Sequence, residues 1–457
     1  MIEKFPYGKA PFWLLVIAIV SSITLLAVSK RAAARRPDLV LVTFTEAHYD
    51  AYRQAIPKFE HEHHVKVDIE MAHWSSLQSR LQNAILADAD VPDMAEMLED
   101  SLGFFTTGPV ADVGIVDFTD RFRAEGIDKK VVASRFSLWT AHGRYYAIPH
   151  DVHPIMLAYR RDLVEKLGID VRQLDTWDKF TEVGRHITKD KDGDGVVDQY
   201  MLDLPDSGNW ALLMLVLQHG GSRFDANGNV TLDSEDTVQV INWYVHQTQG
   251  PTKIATDCGW SQPLVKAMTD GLALFVITPD WRSRTFEMEA PLLSGKMALM
   301  PLPAWKPGGR RTSVWGGTGL IITKRTKHPE LAWELAKYLY FDKSALGERY
   351  RKTNIIPPIK EAWDLPEFST PNPYYSNQPI GKMYAALAAE TPTKYSSVVS
   401  SMANAALDQT YSRAVLYYKS HGDKGLLDEI RTELKQSLDL VRERANRDKI
   451  FNPGNGP

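Results

Sequence analysis

Four tryptophans, Trp74, Trp210, Trp281 and Trp315, stand at the ends of predicted elements rather than inside apolar runs. A sugar ring has apolar C–H faces and a polar rim, so a site for one needs flat aromatic surface flanked by hydrogen-bonding side chains. These indoles are candidates for that surface. Trp177, Trp243 and Trp333 instead fall at helical spacing within apolar stripes and read as core. Glu46, Glu99, Asp100, His150, Asp151 and Asp280 are the candidate polar rim, because each carboxylate can accept two hydroxyl hydrogen bonds. Helix capping or plain surface solvation is the alternative for each of them.

Glu99 and Asp100 also suggest an acid/base pair for glycoside hydrolysis. Read as neighbours on a strand they point to opposite faces, which suits a catalytic pair badly, and no catalytic residue is assigned. A second constellation is metal-like. Asp190, Asp192, Asp194 and Asp198 occupy positions 1, 3, 5 and 9 of a calcium loop, with Gly195 at position 6 and the Val196 carbonyl at 7. Position 12 is Met201 where a bidentate Glu belongs, so Asp203 or water would have to complete the shell. No cofactor is required by this reading, and a structural Ca2+ is the one metal expected, as a staple; an acidic, glycine-rich turn is the alternative. His61, His63 and His64 end a predicted helix, where imidazole suits the helix dipole better than it suggests a metal.

The elements that must position these residues alternate. Leu39–Thr45, Val65–Met71 and Pro92–Leu98 read as strands, with helices over Asp50–Glu62 and, capped by Ser75 or Ser76, along the Leu77, Leu81, Ile85 stripe. This order predicts a parallel sheet with crossover helices, whose ligands sit beyond the carboxyl ends of the strands. Glu46, Glu99 and Asp100 fall there. Beyond Pro149, Tyr159–Leu167 and Asp175–Ile187 read as helices, the latter capped by Asp175 or Thr176. Ala273–Ile277, Lys296–Leu302 and Gly319–Thr323 read as strands, and helices open at Pro329 and span Leu426–Arg444.

The 457 residues are 44 % hydrophobic and 24 % charged, with formal net charge −4. That is enough chain for two ordinary domains, and it has no basic stripe for nucleic acid. Cys258 is the only cysteine, which excludes an intramolecular disulfide and a cysteine zinc site. It lies far from the apolar stretch Ala10–Ser29, so no lipid-modified cysteine follows that stretch. The stretch is longer than a typical signal-peptide core and just short of a comfortable membrane span. Ala32 and Ala34 have cleavage-site spacing, but Lys30, Arg31, Arg35 and Arg36 surround them, favouring an uncleaved anchor over a cleaved signal. Every later apolar run is short or amphipathic, which predicts a monomer.

Several segments together resemble the family 1 extracellular solute-binding proteins of bacterial ABC importers, the maltose-binding-like group. Gly143-Arg-Tyr-Tyr-Ala-Ile-Pro149 is similar to that family's Gly-x-x-Tyr-(Ala/Gly)-(Ile/Leu)-Pro element. Leu157 to Gly168, then Thr176-Trp-Asp-Lys-Phe180, resembles its Tyr-Asn-x-Asp-Leu and Thr-Trp pair, with Arg160 standing where Asn is usual. Asp270 to Val276 with Asp280-Trp281 looks like the family's strand leading to a cleft tryptophan. Pro301-Leu-Pro303, Gly316-Gly317 and His328 to Trp333 match the return crossover and its following helix.

The resemblance implies an α/β, two-lobed periplasmic-binding-protein-like fold with hinge crossovers, here preceded by one N-terminal membrane helix. The expected organisation is an anchor or signal over 1–36, one lobe from 37–150 and 316–365, another from 151–315 and 366–450, and a disordered tail over 451–457. It also implies Trp281 as a stacking residue, Gly316 and Gly317 beside the ligand, and no enzymatic activity. The partners it implies are a small-molecule ligand, most simply a carbohydrate, and ABC permease subunits. The place it implies is the extracytoplasmic face of a bacterial cell envelope, membrane-anchored or periplasmic after cleavage. A glycan hydrolase or lyase, and a ligand-sensing ectodomain, are the rival readings.

Overall fold

The computed structural model describes residues 10–33, 37–87, 89, 91–207 and 210–451. The expected tail beyond Phe451, and residues 1–9 and 34–36 of the N-terminal segment, lie outside the described residues. Twelve strands are defined among them: β1 (Leu39–Thr43), β2 (Val67–Met71), β3 (Met94–Leu98), β4 (Thr140–Ala141), β5 (Arg144–Tyr145), β6 (Ile148–Pro149), β7 (Ile155–Arg160), β8 (Tyr200–Asp203), β9 (Ala255–Thr256), β10 (Ala273–Pro279), β11 (Met297–Pro301) and β12 (Thr318–Ile322).

Ten of them build two five-stranded sheets, ordered β2-β1-β3-β12-β6 and β11-β7-β10-β8-β9, while β4 and β5 form a small hairpin. In the first sheet β2, β1 and β3 run parallel, and β12 returns antiparallel between β3 and β6. In the second, β8 runs parallel to β9 and β10, and β7 runs antiparallel to β10 and β11. Apart from the edge strand β2, whose residues are partly or fully exposed, both sheets are largely buried on both faces, as sheets with crossover helices must be. Along β7, Ile155, Leu157 and Tyr159 enter one apolar cluster while Met156 and Ala158 enter another, the two-residue period of a strand. In β12, Leu320 and Ile322 face one cluster of the first sheet and Ile321 the other.

Two connections carry the chain between the sheets: 150–154 from β6 to β7, and 302–317 from β11 to β12. They meet in an antiparallel bridge between Pro154 and Val314. Tyr350 and Ile356, in the chain following β12, pack in a cluster of the second sheet.

Three local expectations are corrected. Tyr159 and Arg160 end strand β7 rather than beginning a helix, because the run from Ile155 is paired on both sides and buried. The following helix is only Arg161–Lys166, and the Arg160 guanidinium caps the preceding layer by donating to the Met268 and Thr269 carbonyls at 2.6 and 2.9 Å. Ser75 and Ser76 do not cap the helix Trp74–Ala87 but lie inside its first turn. The first interior helix begins at Glu46, four residues earlier than its apolar pattern suggests, because Thr45 caps it by accepting from the His48 N–H at 3.1 Å.

The N-terminal segment is one helix, Ala10–Ala33, whose Leu14, Leu15, Ile17, Val20, Ile23 and Leu25 are exposed. Among the described residues, no helix is long and apolar enough to cross a membrane.

Candidate functional site

Strand β3 stops at Leu98, so Glu99 and Asp100 belong to the turn beyond it. Freed from the pleat, both carboxylates reach one cavity of about 320 Å3, lined also by Trp210, Trp315, Arg223, Lys394 and Asn404. This corrects the expectation that the two carboxylates face opposite ways. Arg223 grips Asp100 with both terminal nitrogens, at 2.8 and 2.9 Å, and donates to Asn404 Oδ1 at 3.1 Å. Lys394 donates to Glu99 Oε1, while Glu99 Oε2 is buried without a partner.

Burial works to raise the Asp100 pKa, but the adjacent Arg223 charge outweighs it and brings the group down to about 2. Burial lowers the Lys394 ammonium, against the pull of Glu99. Held ionised by Arg223, Asp100 does not supply the protonated carboxyl that glycoside hydrolysis needs, and Glu99 is paired with Lys394. The arrangement recognises donors; it does not deliver a proton.

Trp210 and Trp315 line this cavity, and Trp281 and Trp260 pack against them. Trp210 opens the helix Trp210–His219, and its ring stacks on that of Trp315 at 3.9 Å with the planes 7° apart. Trp281 meets Trp315 edge-on at 5.1 Å and donates from Nε1 to the Trp315 carbonyl at 3.4 Å. Trp260 closes the group, 5.8 Å from Trp315 and 6.1 Å from Trp210. The Arg282 guanidinium lies 4.6 Å from the Trp260 ring, 5.3 Å from Trp210 and 5.5 Å from Trp315, a cation held by three indole faces. Burial pushes its pKa down to about 10, partly offset by Asp203.

Arg223, Lys394, Trp260 and Arg282 were not legible beforehand, since no spacing motif marks them. Trp260 carried one signal, an indole between Gly259 and Ser261 in a non-periodic stretch. Trp74 and Glu46 do not join the group: Trp74 is 58 % exposed in the first turn of its helix, and Glu46 is exposed at the start of another.

His150, Asp151 and Asp280 are fully buried, and apart from His150 Nε2, which has no hydrogen-bond partner, their side-chain polar atoms have partners within the chain. Asp280 Oδ1 accepts from the Trp281 N–H at 2.8 Å and from His153 Nδ1 at 2.7 Å, while Oδ2 accepts from the Ile356 N–H at 2.7 Å. Asp151 Oδ2 accepts from the Thr318 N–H at 3.0 Å and lies 3.0 Å from His153 Nε2 as an ion pair, and Arg135 donates to Asp151 Oδ1 at 3.3 Å. Burial, with the charge of Arg349, lowers the His150 pKa to about 3, and its Nδ1 faces Asp151 at 3.2 Å. These three were expected to accept ligand hydroxyls; in this structure they lie buried and their hydrogen bonds fasten the crossovers.

Gly316 and Gly317 are likewise packing positions. Gly316 has φ +96°, and a Cβ on Gly317 would fall 2.7 Å from Arg135 Nη2 and 2.8 Å from Leu138.

Two groups among the described residues could hold a metal ion. His48, Glu96 and His150 offer atoms within 4.8 Å of one another, all buried. Glu96, however, already accepts from Thr43, His48, Tyr52 and Tyr340, a complete set of donors that pins β3 to its neighbours. Burial raises its pKa, but the charge and hydrogen bond of His48 prevail and keep it well below the carboxylate range. The second group is Asp190, Asp192 and Asp198. Asp190 accepts from the Gly193 and Gly195 N–H groups at 2.6 and 2.7 Å, so the loop is already folded around its first carboxylate. Asp194 turns its Oδ1 to the Val196 N–H, Met201 is buried in β8, and Asp203 accepts from the Cys258 N–H at 3.0 Å. Asp203 is therefore not the missing ligand.

Residues 45–345 match the family described as bacterial extracellular solute-binding protein. An arabinooligosaccharide-binding protein of Halalkalibacterium halodurans is 28 % identical over 350 residues, 74 % of this chain and 75 % of that protein. An arabinooligosaccharide-binding protein of Bacillus subtilis is 24 % identical over 342 residues, 74 % of this chain and 77 % of that protein. The solved structure of the sugar-binding protein MalE from Xanthomonas citri superposes with a TM-score of 0.73 at 18 % identity, covering 90 % of this chain and 99 % of that one.

Proposed function

This chain belongs to the bacterial extracellular solute-binding proteins, and on that premise we propose that it captures a sugar or oligosaccharide between its two sheets and delivers it to an ABC permease. The observation that carries this is the stacked Trp210–Trp315 pair on the wall of a cavity whose rim is Glu99, Asp100, Arg223 and Asn404. The indoles meet the apolar faces of a sugar ring, and the unpartnered Glu99 Oε2 accepts a hydrogen bond from a ligand hydroxyl. Two relatives named for arabinooligosaccharides make short arabinans the first ligands to test. The chain's own role is binding: lobe closure presents the ligand, with segments 37–150 and 316–365 as one lobe and 151–315 and 366–450 as the other.

The reading extends to three further features. The helix Ala10–Ala33, with exposed apolar side chains, serves as a membrane anchor at the extracytoplasmic face or as a signal whose removal leaves the domain periplasmic. The Asp190–Asp198 loop would hold a structural Ca2+ through Asp190, Asp192, Asp194, the Val196 carbonyl and Asp198, a reading supported by the carboxylate oxygens of Asp190, Asp192 and Asp198 lying within 4.8 Å of one another. The binding domain is a monomer.

Thermal-shift screening of the domain against arabino-oligosaccharides, maltodextrins, polyols and peptides tests the ligand class. A shift with the oligosaccharides alone is expected; a shift with peptides alone overturns it.

A further inference from the structure

We propose that His153 is a positioning residue for the ligand wall, holding Trp281 and Trp315 to the first crossover through an imidazole set between the Asp151 and Asp280 carboxylates and through its own backbone carbonyl. It sits where three segments meet. Its Nε2 lies 3.0 Å from Asp151 on its own crossover, and its Nδ1 lies 2.7 Å from Asp280, which heads the helix Asp280–Glu289. The same Asp280 oxygen accepts the Trp281 N–H, and the His153 carbonyl accepts the Trp315 N–H at 3.3 Å. Trp281 and Trp315 are then tied to each other by the bond from the Trp281 indole to the Trp315 carbonyl. One residue thereby fixes the backbone of both tryptophans.

The other contacts around His153 require it to carry two ring protons. The remaining partners of Asp280 are the Trp281 and Ile356 N–H groups, and those of Asp151 include the Thr318 N–H and Arg135, so the oxygens of both side chains act as acceptors. Both imidazole nitrogens must therefore donate, and only the imidazolium has two N–H groups. Burial opposes that charge, but Asp151 and then Asp280 overcome it and raise the group to about 10.

The local backbone is built around the ring. His153 has φ +56°, in the left-handed region that side chains rarely adopt, and it is held there by contacts at both ends of its side chain. Gly316 on the return crossover makes room for it: a Cβ there would lie 3.2 Å from His153 Cδ2 and 3.9 Å from Trp281 Nε1.

That the rings so placed contact ligand rests on the functional reading above; their placement by His153 does not. His153→Asn is the test, because Asn tolerates the left-handed backbone but cannot reach both carboxylates. The far-ultraviolet circular dichroism should be unchanged while the near-ultraviolet indole bands collapse, and arabinotriose binding should weaken about tenfold. Unchanged indole bands in a folded variant overturn the proposal. In the wild-type protein at about pH 8, where a free imidazole is neutral, nitrogen NMR should show a histidine protonated on both ring nitrogens. A neutral tautomer for every histidine also overturns it, and this measurement decides if the variant does not fold. If the bands collapse in His153→Asn while Trp315→Ala binds arabinotriose normally, the positioning role stands and the ligand reading falls.

Discussion

Trp210 and Trp315 lie face to face, 3.9 Å apart and 7° from parallel, although one opens a helix and the other lies in the return crossover. Stacking so close joins the helical layer to the crossover, so the wall of the cleft is one rigid surface rather than separate side chains. A ligand pressed against it does not have to order it first, which saves the entropy of immobilising large side chains on binding.

Removing one member of that wall should therefore cost affinity more than stability. Trp315→Ala is expected to weaken arabinotriose binding by about 2 kcal/mol or ~30-fold, with the melting temperature shifted by only a few degrees. Isothermal titration calorimetry with a parallel melt checks it. Binding retained at wild-type strength removes Trp315 from the site.

Trp333 is the internal control. It is 2 % exposed, packs against Phe118 and Phe122, and donates from Nε1 to Glu125 at 2.9 Å. Trp333→Ala should lose about 3–5 kcal/mol of stability while the folded fraction keeps its affinity. Urea unfolding measures the first and calorimetry the second.

The Asp100–Arg223 pair makes a prediction about acid. The Asp100 pKa is about 2 in the folded chain and ~3.9 in an unfolded one. A carboxyl lowered on folding adds stability that is present above the unfolded value and lost as pH falls through the folded value. That contribution should disappear between about pH 4 and pH 2. In Arg223→Met it should be absent, so urea midpoints measured across this window should fall less steeply than in wild type. Parallel curves for the two proteins would show that the pair does not couple to folding.

Calcium should raise the melting temperature of the wild-type domain, and chelator should lower it. At about 100 times its dissociation constant the ion would add roughly 2.7 kcal/mol. Asp192→Ala should abolish the difference. Equal melts of the wild-type domain with millimolar calcium and with chelator would take the metal out of the account.

The strand–helix alternation was readable because apolar period survives in a single sequence: β1, β3, β10 and β12 lie within two residues of their expected places. Tyr159 and Arg160 were misplaced because a short run buried on both faces has no period to separate strand from helix. The aromatic part of the site was partly visible, since Trp210, Trp281 and Trp315 sit at element ends. Its cations were not. Arg223 and Lys394 come from loops distant in sequence, and only the folded chain brings them to Glu99 and Asp100. Asp280 misled for the opposite reason: a carboxylate beside a cleft tryptophan reads as a ligand contact, but whether it faces inward or outward depends on His153 and Ile356.

Glu99 and Asp100 leave the first sheet, while Arg223 and Lys394 stand on chain packed against the second, so two ion pairs bridge the bodies that must part for a ligand to enter. Pairs of this kind lose strength once water and dissolved ions reach them, over a screening length of about 8 Å at physiological ionic strength. If the bodies part as the proposed capture of a ligand requires, the salinity of the surrounding medium would become a setting on the clasp, dilute surroundings favouring a shut, slow-exchanging cleft and brackish ones a cleft that opens and samples more often.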